Sequence, residues 1–586
     1  MPHTALLFFL CHGGAAYLYV KKRMSESKAS NKEIAALFRL LGELMELHDE
    51  NSFKIRSYMN AARQIEMLDR ELSGMSAEEI RAIPGIGDAI QKKIAGILES
   101  GRLPLLDKYL GQTPPGILDL LQIKGLGSKK AGILWRKLGI STLDELLKAA
   151  ETHQIAALKG FGPKTEENII KSVNYYLSVR DKKLYAELEA PLEELMQQLM
   201  QADGIIRVQQ SGAIRRKNPV IEEVEVLVTS KSGTLNELKK HPLLDWSSFK
   251  EKEGTASIAW SRSLQVTACD QKGEALALFT GTTPEPVREH IRFDPKLPYL
   301  SERDIFKAAG LPYIIPEMRE PALSFAYICS VKEEEIVKEK DIRGVIHVHS
   351  NFSDGTQSIR QMALAAIERG YEYMLLTDHS QSAFYANGLS PARIKAQHEE
   401  IDRLNRELAP FRIFKGIESD ILHDGSLDYT DDVLASFDLI IASIHSGLSM
   451  NREKATERLL KAVRNPFTDI LGHMSGRLLL RREGYPIDHE AVIDACAEEG
   501  TVIEINANPH RLDMDWTHIP YALEKGLMLS INPDAHSARG IDDIRYGVYA
   551  ARKGGLPGKR NLSSMPYEEF EDWIAQRKER KKRLAH

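Results

Sequence analysis

Cysteine is scarce in this sequence, and no two cysteines stand in a metal-binding motif. The 586 residues include four cysteines, which are far apart in the chain and form no CxxC pair. This distribution argues against a disulfide framework and against a thiolate zinc site. It fits a reducing compartment, and we expect the protein to be cytoplasmic.

Long apolar runs are also lacking, apart from one stretch at the start of the chain. Residues 5–20 are largely apolar and precede a basic triplet, as in a short membrane anchor or a signal segment. A membrane-spanning helix needs about 20 apolar residues, and a glycine pair interrupts this run. We favour a misassigned start, with residues 1–23 preceding the natural Met24, over an anchor, and we expect no membrane partner.

Charge of one sign does not dominate either. The chain has 78 basic and 83 acidic residues, with 43% hydrophobic and 27% charged residues. These values argue against extensive disorder, a membrane bundle and a uniformly basic nucleic-acid binder, so DNA contact would depend on local charge. The length exceeds one hydrophobic core and predicts about three to five domains.

Region 31–176 has the apolar spacing of helices and contains one short motif three times. The motif, apolar-x-Gly-apolar-Gly, occurs at 83–87, 123–127 and 158–162, each time before a helix with basic residues. Two glycines let the backbone turn tightly and present amide donors to an anion at a helix N-terminus. The repeat therefore predicts binding to a DNA phosphate backbone without sequence readout.

The predicted DNA contacts are the glycines of the three turns and the lysines that follow them. Lysines at these places would add salt-dependent attraction to DNA. The residues are Gly85, Gly87, Lys93, Gly125, Gly127, Lys129, Lys130, Gly160, Gly162 and Lys164. The alternative is three ordinary turns between helices, followed by solvated lysines.

These hairpins resemble those of the bacterial X-family DNA polymerases, and the resemblance extends to the end of the chain. It implies a lyase-like helical DNA-binding domain over 24–108 and a fingers-like domain over 109–180. It also implies that the protein binds gapped, nicked or 3'-ended DNA, and we expect the protein to be a monomer. Lys93 takes the place of the Schiff-base lysine of repair members, although we prefer to interpret it as a surface lysine.

Region 181–335 changes to strand-like runs, such as 223–228 and 264–268, and resembles the α/β nucleotidyltransferase-like palm and thumb of that family. There, a Gly-Ser and Arg-Arg turn precedes an Asp-x-Asp strand. Alternate carboxylates on one face of a strand could hold Mg²⁺. The turn of this chain is 211–216, with the Gly-Ser order inverted.

The predicted palm departs from the family at its metal ligands. Glu223 and Glu225 stand where two aspartates are expected, and Thr267 replaces the third, while Arg215 and Arg216 are present. Because Mg²⁺ demands near-ideal octahedral geometry, these changes should misplace the ions. We expect a degenerate site with weak or no polymerase activity. For the two glutamates we prefer to interpret the pattern as a solvated strand face, and the alternative is a gap-filling polymerase that retains activity.

Beyond Asp341, strands and helices alternate regularly, which predicts a parallel β/α architecture for residues 336–586. Six of seven predicted strands end in a histidine, a carboxylate or both. The strands are 344–349, 373–379, 413–418, 439–445, 470–473, 502–506 and 528–536. Because the carboxyl ends of barrel strands surround one mouth, these side chains should meet in a single pocket.

Nine side chains at these strand ends predict a metal centre. They are His347, His349, Asp354, His379, Glu418, His445, His473, Asp534 and His536. Burying so many polar groups without metals would be costly, and His347 and His349 share a strand face suited to chelation. Imidazole and carboxylate ligands suit Zn²⁺, Mn²⁺ or Fe²⁺ and do not distinguish among them.

This set resembles the PHP phosphoesterase superfamily, which has a distorted (β/α)₇ barrel and usually three metal ions. The implied ligand sets are His347, His349, Glu418 and Asp534 for one ion, Glu418, His445 and His473 for a second, and Asp354, His379 and His536 for a third. Glu418 would bridge the first two ions. We therefore expect two to three divalent cations in the barrel.

The implied chemistry is hydrolysis of a phosphate ester, because clustered cations activate water and neutralise phosphate oxygens. The predicted catalytic residues are Glu418, Asp534, His536, Arg477 and Arg511. Ordinary surface arginines are an equal alternative for the last two. The basic tail 577–583 is expected to be frayed and able to contact DNA.

The leading hypothesis is a DNA phosphodiesterase of DNA repair, acting as a 3'-5' exonuclease and as an endonuclease at abasic sites. A phosphomonoesterase for small substrates is the second hypothesis, and the hairpins argue against it. A gap-binding protein with a purely structural barrel is the third, and the complete ligand set argues against that.

Overall fold

The computed structural model describes residues 29–66, 68, 70–258 and 260–584. The apolar start segment, residues 1–23, lies outside these ranges. Among the described residues, no helix is long and apolar enough to cross a membrane.

The N-terminal region is helical, as its apolar spacing predicts. Ile34, Leu37 and Leu41 are buried on one face of the first helix, and Ser30 forms a capping box with Glu33 at its start. The helices are α1 (Asn31–Leu47), α2 (Ser52–Glu66), α3 (Ala77–Arg81), α4 (Asp88–Ser100), α5 (Pro104–Gln112), α6 (Ile117–Leu120), α7 (Ser128–Leu138), α8 (Leu143–Glu151) and α9 (Pro163–Val179).

The middle region is a five-stranded sheet with helices. The strands of this region are β1 (Lys183–Leu184), β2 (Ile205–Ser211), β3 (Val220–Ile221), β4 (Val224–Ser230), β5 (Asp245–Phe249), β6 (Glu253–Ile258) and β7 (Ser261–Cys269). The five-stranded sheet has the order β2-β4-β7-β6-β5, in which β4 is parallel to β7 and the other pairs are antiparallel, and β1 pairs with β3 in a separate two-stranded sheet. The helices are α10 (Tyr185–Leu199), α11 (Gly212–Arg215), α12 (Glu274–Thr282), α13 (Glu285–Arg288), α14 (Glu302–Ala308) and α15 (Phe325–Ser330).

The C-terminal region is a nearly closed parallel barrel of seven strands that pair in chain order. The strands are β8 (Gly344–Val348), β9 (Tyr373–Leu376), β10 (Arg412–Asp420), β11 (Leu439–Ser443), β12 (Ile470–Leu471), β13 (Val502–Asn506) and β14 (Leu529–Asn532). A bridge between Val348 and Ala535 brings the last strand back to the first. The predicted fold class is therefore confirmed.

Helices surround the barrel strands. They are α16 (Ile359–Glu368), α17 (Pro391–Glu407), α18 (Asp431–Leu434), α19 (Arg452–Val463), α20 (His489–Glu499), α21 (Ile519–Glu524), α22 (Ile544–Lys553) and α23 (Tyr567–Leu584). Each strand is buried on both faces, so its residues form an almost continuous apolar run up to the polar strand end. This arrangement explains why chemistry-bearing residues are concentrated at those ends.

Helix α23 closes the amino end of the barrel. Phe570 and Ile574 pack into an apolar cluster with strand residues. Arg577 Nε and Lys581 Nζ donate to the buried Asp469 carboxylate at 3.0 and 2.5 Å, directly before β12. The expectation of a frayed basic tail is wrong for the described part of α23, because these side chains anchor the helix to the barrel.

A buried ion-pair network joins the barrel to the palm-like region. Lys553 of α22 donates from Nζ to Glu320 at 2.7 Å and to Asn218 at 2.6 Å, and Arg216 Nε reaches the same Glu320 oxygen at 2.9 Å. Burial lowers the pKa of Lys553 to about 8. Removing one member would leave a buried charge without compensation, so this network stabilises one relative placement of the two regions.

Candidate metal centre and nucleic-acid interface

The carboxyl ends of the barrel strands bring the predicted ligands together in one mouth. Three groups of side chains form there, and within each group the ligand atoms lie within 4.8 Å of one another. The groups are His349, Asp354, His379 and His536; His347, His349 and Asp534; and His379, Glu418 and His445. Residues that are almost 190 positions apart thus become neighbours, as expected of strand ends in a barrel.

Glu418 is buried at the centre of the mouth. Its carboxylate oxygens lie 3.0 to 3.6 Å from nitrogens of five imidazoles, those of His347, His349, His379, His445 and His473. The two oxygens of this buried carboxylate face different histidines, with Oε1 near His445 and His473 and Oε2 near His379. Such a carboxylate can bridge two cations.

The other two carboxylates lie on either side of this centre. Asp534 Oδ1 is 3.5 Å from His347 Nε2 and 3.3 Å from His349 Nε2. Asp354 Oδ1 is 3.6 Å from His379 Nε2 and 3.4 Å from His536 Nε2. Asp354 and His536 retain side-chain exposures of 33% and 39%, so the mouth opens to solvent on their side.

The buried polar atoms of the mouth fit divalent cations. Among the described residues, His347 Nε2, His349 Nε2 and Glu418 Oε2 are buried without a hydrogen-bond partner, which is costly unless another ligand satisfies them. Burial alone would raise the pKa of Glu418, but the imidazoles of His445, His347 and His379 hold it well below its usual range. An ionised carboxylate among imidazoles suits Zn²⁺, Mn²⁺ or Fe²⁺.

Backbone conformation contributes to this convergence. His347 and Asp534 have φ values of 68° and 52°, which non-glycine residues rarely adopt. His347 also lies at a register shift between β8 and β9, as in a β-bulge that re-aims a side chain. The rings of His347 and His349 are 5.2 Å apart. Strand alternation, on which the sequence argument relied, is therefore an incomplete reason for their proximity.

Two buried carboxylates that the sequence analysis missed orient the histidines. Glu504 accepts a hydrogen bond from His347 Nδ1 at 2.5 Å and from the backbone N–H of His473 at 2.8 Å. Asp420 is paired with Nδ1 of His445. These bonds direct the opposite ring nitrogens toward the mouth. Alternate spacing, as in Glu418-x-Asp420, could have revealed Asp420, since alternate residues share a strand face.

The two predicted arginines have different surroundings. Arg511 Nε lies 3.4 Å from Asp534 Oδ2, next to the ligands. The guanidinium of Arg477 instead donates to the carbonyl oxygens of Arg511, at 2.9 Å, and Leu512, and it pairs with Asp515. The structure therefore brings Arg511 into the mouth, whereas the donors of Arg477 are engaged in holding the Arg511 loop.

The three glycine turns share one backbone geometry. Their first glycines, Gly85, Gly125 and Gly160, have φ values of 81°, 84° and 91°. Their second glycines, Gly87, Gly127 and Gly162, are the N-caps of α4, α7 and α9. A Cβ atom at any of these N-caps would meet nothing within 4 Å. The amide ends of three helices are thus open to an approaching phosphate.

The lysines after the turns differ in their contacts. Lys129 and Lys164 are exposed. Lys130 Nζ donates to the Gly125 carbonyl at 3.1 Å, and Lys93 Nζ donates to a carbonyl of its own helix at 3.2 Å. Lys129 and Lys164 are therefore the best placed of the four to contact DNA.

In the palm-like region, Glu223, Glu225 and Thr267 do not come together as a metal site. Glu225 is turned toward the 211–216 turn, where the backbone N–H of Ala213 donates to it, and burial raises its pKa. A Cβ atom on Gly212 would lie 1.7 Å from Glu225 Oε1. Glu223 and Thr267 are exposed. Among the described palm residues, no cluster of three metal-ligating side chains forms.

Both arginines of the same turn are engaged by glutamates. Arg215 Nη1 donates to Glu302 Oε1 at 3.0 Å, and Arg216 Nε donates to Glu320 Oε1 at 2.9 Å. Their side-chain exposures are 18% and 12%. These guanidinium groups hold the palm together in the structure.

Family models match three parts of the chain. The "Helix-hairpin-helix domain" model matches residues 29–103, the "SAM-like Helix-hairpin-helix tandem" model matches residues 117–174, and the "PHP domain" model matches residues 346–508. The first two include the three glycine turns, and the third includes seven of the nine predicted ligands.

A relative from Bacillus subtilis (strain 168), named DNA polymerase/3'-5' exonuclease PolX, is 34% identical over 568 residues, which are 93% of this chain and 99% of the relative. The chain belongs to the bacterial PolX family. The recognition of an X-family polymerase with helix-hairpin-helix and PHP domains is thereby confirmed.

The barrel of this PolX member is also similar to shorter proteins. One named "Probable phosphatase" from Thermoanaerobacter sp. (strain X514) is 27% identical over 222 residues, 36% of this chain and 85% of that protein. Another from Syntrophotalea carbinolica is 32% identical over 222 residues, 36% of this chain and 87% of that protein. The PolX barrel is therefore a phosphoesterase domain of the PHP type, and the chain is a metal-dependent hydrolase.

Proposed function

We propose that the chain is a DNA phosphodiesterase that removes nucleotides from 3' ends in DNA repair, in the cytoplasm and as a monomer. The observation that carries the proposal is the barrel mouth, in which five imidazoles surround the Glu418 carboxylate at 3.0 to 3.6 Å. The same chain presents three open helix N-termini that suit DNA phosphates. A phosphoesterase mouth joined to a DNA-holding region favours DNA over small esters.

Different residues of the mouth would bind the cations and the phosphate. His347, His349 and Asp534 would hold one cation, and the Glu418 carboxylate would connect it to the sites near His445 and His473. Divalent cations lower the pKa of a bound water and neutralise phosphate oxygens. Arg511, 3.4 Å from Asp534, would donate hydrogen bonds to a non-bridging phosphate oxygen.

The palm favours a protein whose polymerase activity is weak or lost. The Glu225 carboxylate lies against the 211–216 turn, where a nucleotide phosphate would otherwise bind. Arg215 and Arg216 donate hydrogen bonds to glutamates. We propose that this region serves as a DNA-shaped scaffold. Incision of abasic sites by the same barrel is part of the proposal, since it is also phosphodiester hydrolysis.

A phosphomonoesterase is the second candidate function, because the barrel is similar to proteins named as phosphatases. The two functions differ in their substrates. Purified wild-type protein with Mn²⁺ should shorten a 5'-labelled gapped primer one nucleotide at a time from its 3' end. Rapid release of phosphate from small monoesters, together with an intact primer, would favour the phosphatase and contradict the nuclease.

Removing the charge of the exposed lysines that follow the second and third glycine turns should weaken DNA binding. For the double variant Lys129→Ala/Lys164→Ala, we expect an about tenfold higher dissociation constant and a salt slope smaller by about two, because two phosphate contacts are lost. Fluorescence anisotropy with a labelled gapped duplex, titrated at several salt concentrations, measures both quantities.

The matched control replaces two exposed lysines outside the hairpins, Lys272→Ala/Lys340→Ala, with the same change of net charge. This variant should keep the wild-type salt slope. Equal effects of both pairs would show that only the total charge matters, and the proposed hairpin interface would then be wrong.

A further inference from the structure

Two adjacent aromatic side chains are exposed beside the metal centre. The solvent-exposed fraction is 85% for Phe384 and 70% for Tyr385. They lie in the 3₁₀ turn Phe384–Ala386, within the loop that follows β9, contains His379 and leads to helix α17. Large aromatic rings that are exposed in pairs at a pocket rim are typical of a recognition surface.

The loop buries its small residues and exposes its large ones. Ala383 and Ala386, on either side of the two rings, are 0% and 1% exposed. Burial of apolar surface would favour the opposite arrangement, since the rings carry far more apolar area than the two methyl groups. The outward position of the rings is therefore imposed by how the loop is held.

Hydrogen bonds hold the loop at both ends and at its middle. The N–H of Leu389 donates to the His379 carbonyl at 2.9 Å and closes the loop. Ser382 donates from its backbone N–H to Asp428 at 2.6 Å and from its hydroxyl to Asp420 at 2.9 Å. Because Asp420 also orients His445, the loop is tied to the support of a predicted ligand.

A second set of contacts ties the loop to the Asp354 side of the mouth. Asn387 has a left-handed φ of 55°, and its Nδ2 donates to the Phe352 carbonyl at 3.3 Å. Arg393 Nη1 donates to the Asn387 carbonyl at 2.7 Å. The rings are thus displayed on a pre-organised loop, so a ligand that binds them would not have to order it.

The rings stand next to the solvent-facing part of the metal centre. The Tyr385 ring centroid is 6.2 Å from that of His379. His379 belongs to the same ligand group as the partly exposed Asp354 and His536. A phosphate that enters the mouth from solvent would therefore carry its attached nucleoside past Phe384 and Tyr385.

We propose that Phe384 and Tyr385 form a stacking platform for the unpaired nucleobases at the scissile end of a DNA strand. This inference rests on the proposed nuclease function and names how its substrate end is recognised. Aromatic stacking accepts every base, because each base has a π face. An unpaired base can reach the two rings without the free-energy cost of breaking a base pair. Frayed, mismatched or single-stranded ends should therefore be better substrates than paired ends.

The test compares a substrate with bases and one without. In the double variant Phe384→Ala/Tyr385→Ala, we expect KM for a 5'-labelled single-stranded oligonucleotide to rise about ten- to a hundred-fold, the range for loss of one stacked base. Hydrolysis of an oligomer of base-free (tetrahydrofuran) sugar phosphates, which offers no aromatic ring to stack, should stay within about twofold. Elemental analysis should show unchanged metal content.

Two further variants control for surface and shape. Leu364→Ala removes another exposed apolar side chain, on the outer helix α16, and should behave as wild type. Phe384→Tyr/Tyr385→Phe keeps both rings and should retain the wild-type KM. Wild-type protein should digest an oligonucleotide with a base-free 3'-terminal sugar as slowly as the alanine variant digests the normal oligonucleotide.

The outcomes separate this inference from the proposed function. If the alanine variant digests the oligonucleotide as wild type does, the proposed platform is wrong and the nuclease function stands. The exposed rings would then be a binding surface for a protein partner. Equal losses on both substrates would also overturn the platform, since the rings would then support the fold of the mouth. If wild-type protein hydrolyses only the base-free ester, both the nuclease function and the platform are wrong.

Discussion

Replacing Glu418 by glutamine should reduce digestion of DNA 3' ends about 1,000-fold or more. This carboxylate is 1% exposed and faces five imidazole nitrogens. A neutral amide keeps the shape but removes the negative charge, and loss of a bridged cation costs several kcal/mol of transition-state stabilisation, with about 1.4 kcal/mol per tenfold of rate. Single-turnover digestion of a 5'-labelled primer measures the rate, and elemental analysis should show fewer bound metal ions.

The control for Glu418→Gln is Glu399→Gln, the same change at an exposed position on α17. This variant should keep both the rate and the metal content. Normal digestion by Glu418→Gln would place the nuclease activity outside the barrel mouth. A lower rate with unchanged metal content would show that Glu418 acts on the substrate without holding a cation.

If the palm is degenerate as proposed, primer extension should be at least about 1,000-fold slower than in a polymerase whose palm holds two magnesium ions. Glu225 is turned toward Gly212, and both arginines of the turn are paired with glutamates. The measurement uses a gapped duplex with all four nucleotides, in the Glu418→Gln background, so that digestion does not hide extension products.

A palm variant tests whether the Glu225 carboxylate matters for digestion. Glu225→Ala should digest 3' ends within about twofold of wild type, because this carboxylate lies against the 211–216 turn and is not part of any ligand group. Efficient extension by the Glu418→Gln protein would refute the loss of polymerase activity. It would mean that DNA or nucleotide binding rearranges the turn.

Local patterns were sufficient for the fold class and for locating the mouth. The seven strands follow from short apolar runs that alternate with helices, and barrel geometry then places the strand ends together. The three glycine turns were likewise visible, because positive φ at Gly85, Gly125 and Gly160 is a local demand of each turn. The membership of the X family rests on the same motifs and is confirmed.

Contacts between distant residues account for what the sequence analysis missed or misjudged. Glu504 accepts a hydrogen bond from His347, 157 positions away, so the residues next to either one do not predict this contact. Arg577 was expected in a frayed tail, yet it is bound to Asp469, 108 positions away. Charge patterns describe what a side chain can do, and they do not show which distant carboxylate will engage it.

By itself, the sequence determined the order of the helical, palm-like and barrel regions and the types of ligand at the barrel mouth, since these depend on periodicity and on residues next to each strand. Only the tertiary structure decided which carboxylates orient the histidines, that Arg477 supports the Arg511 loop, and that Phe384 and Tyr385 face solvent beside His379. The physical reason is that burial and pairing are properties of packing between elements, which short segments do not encode.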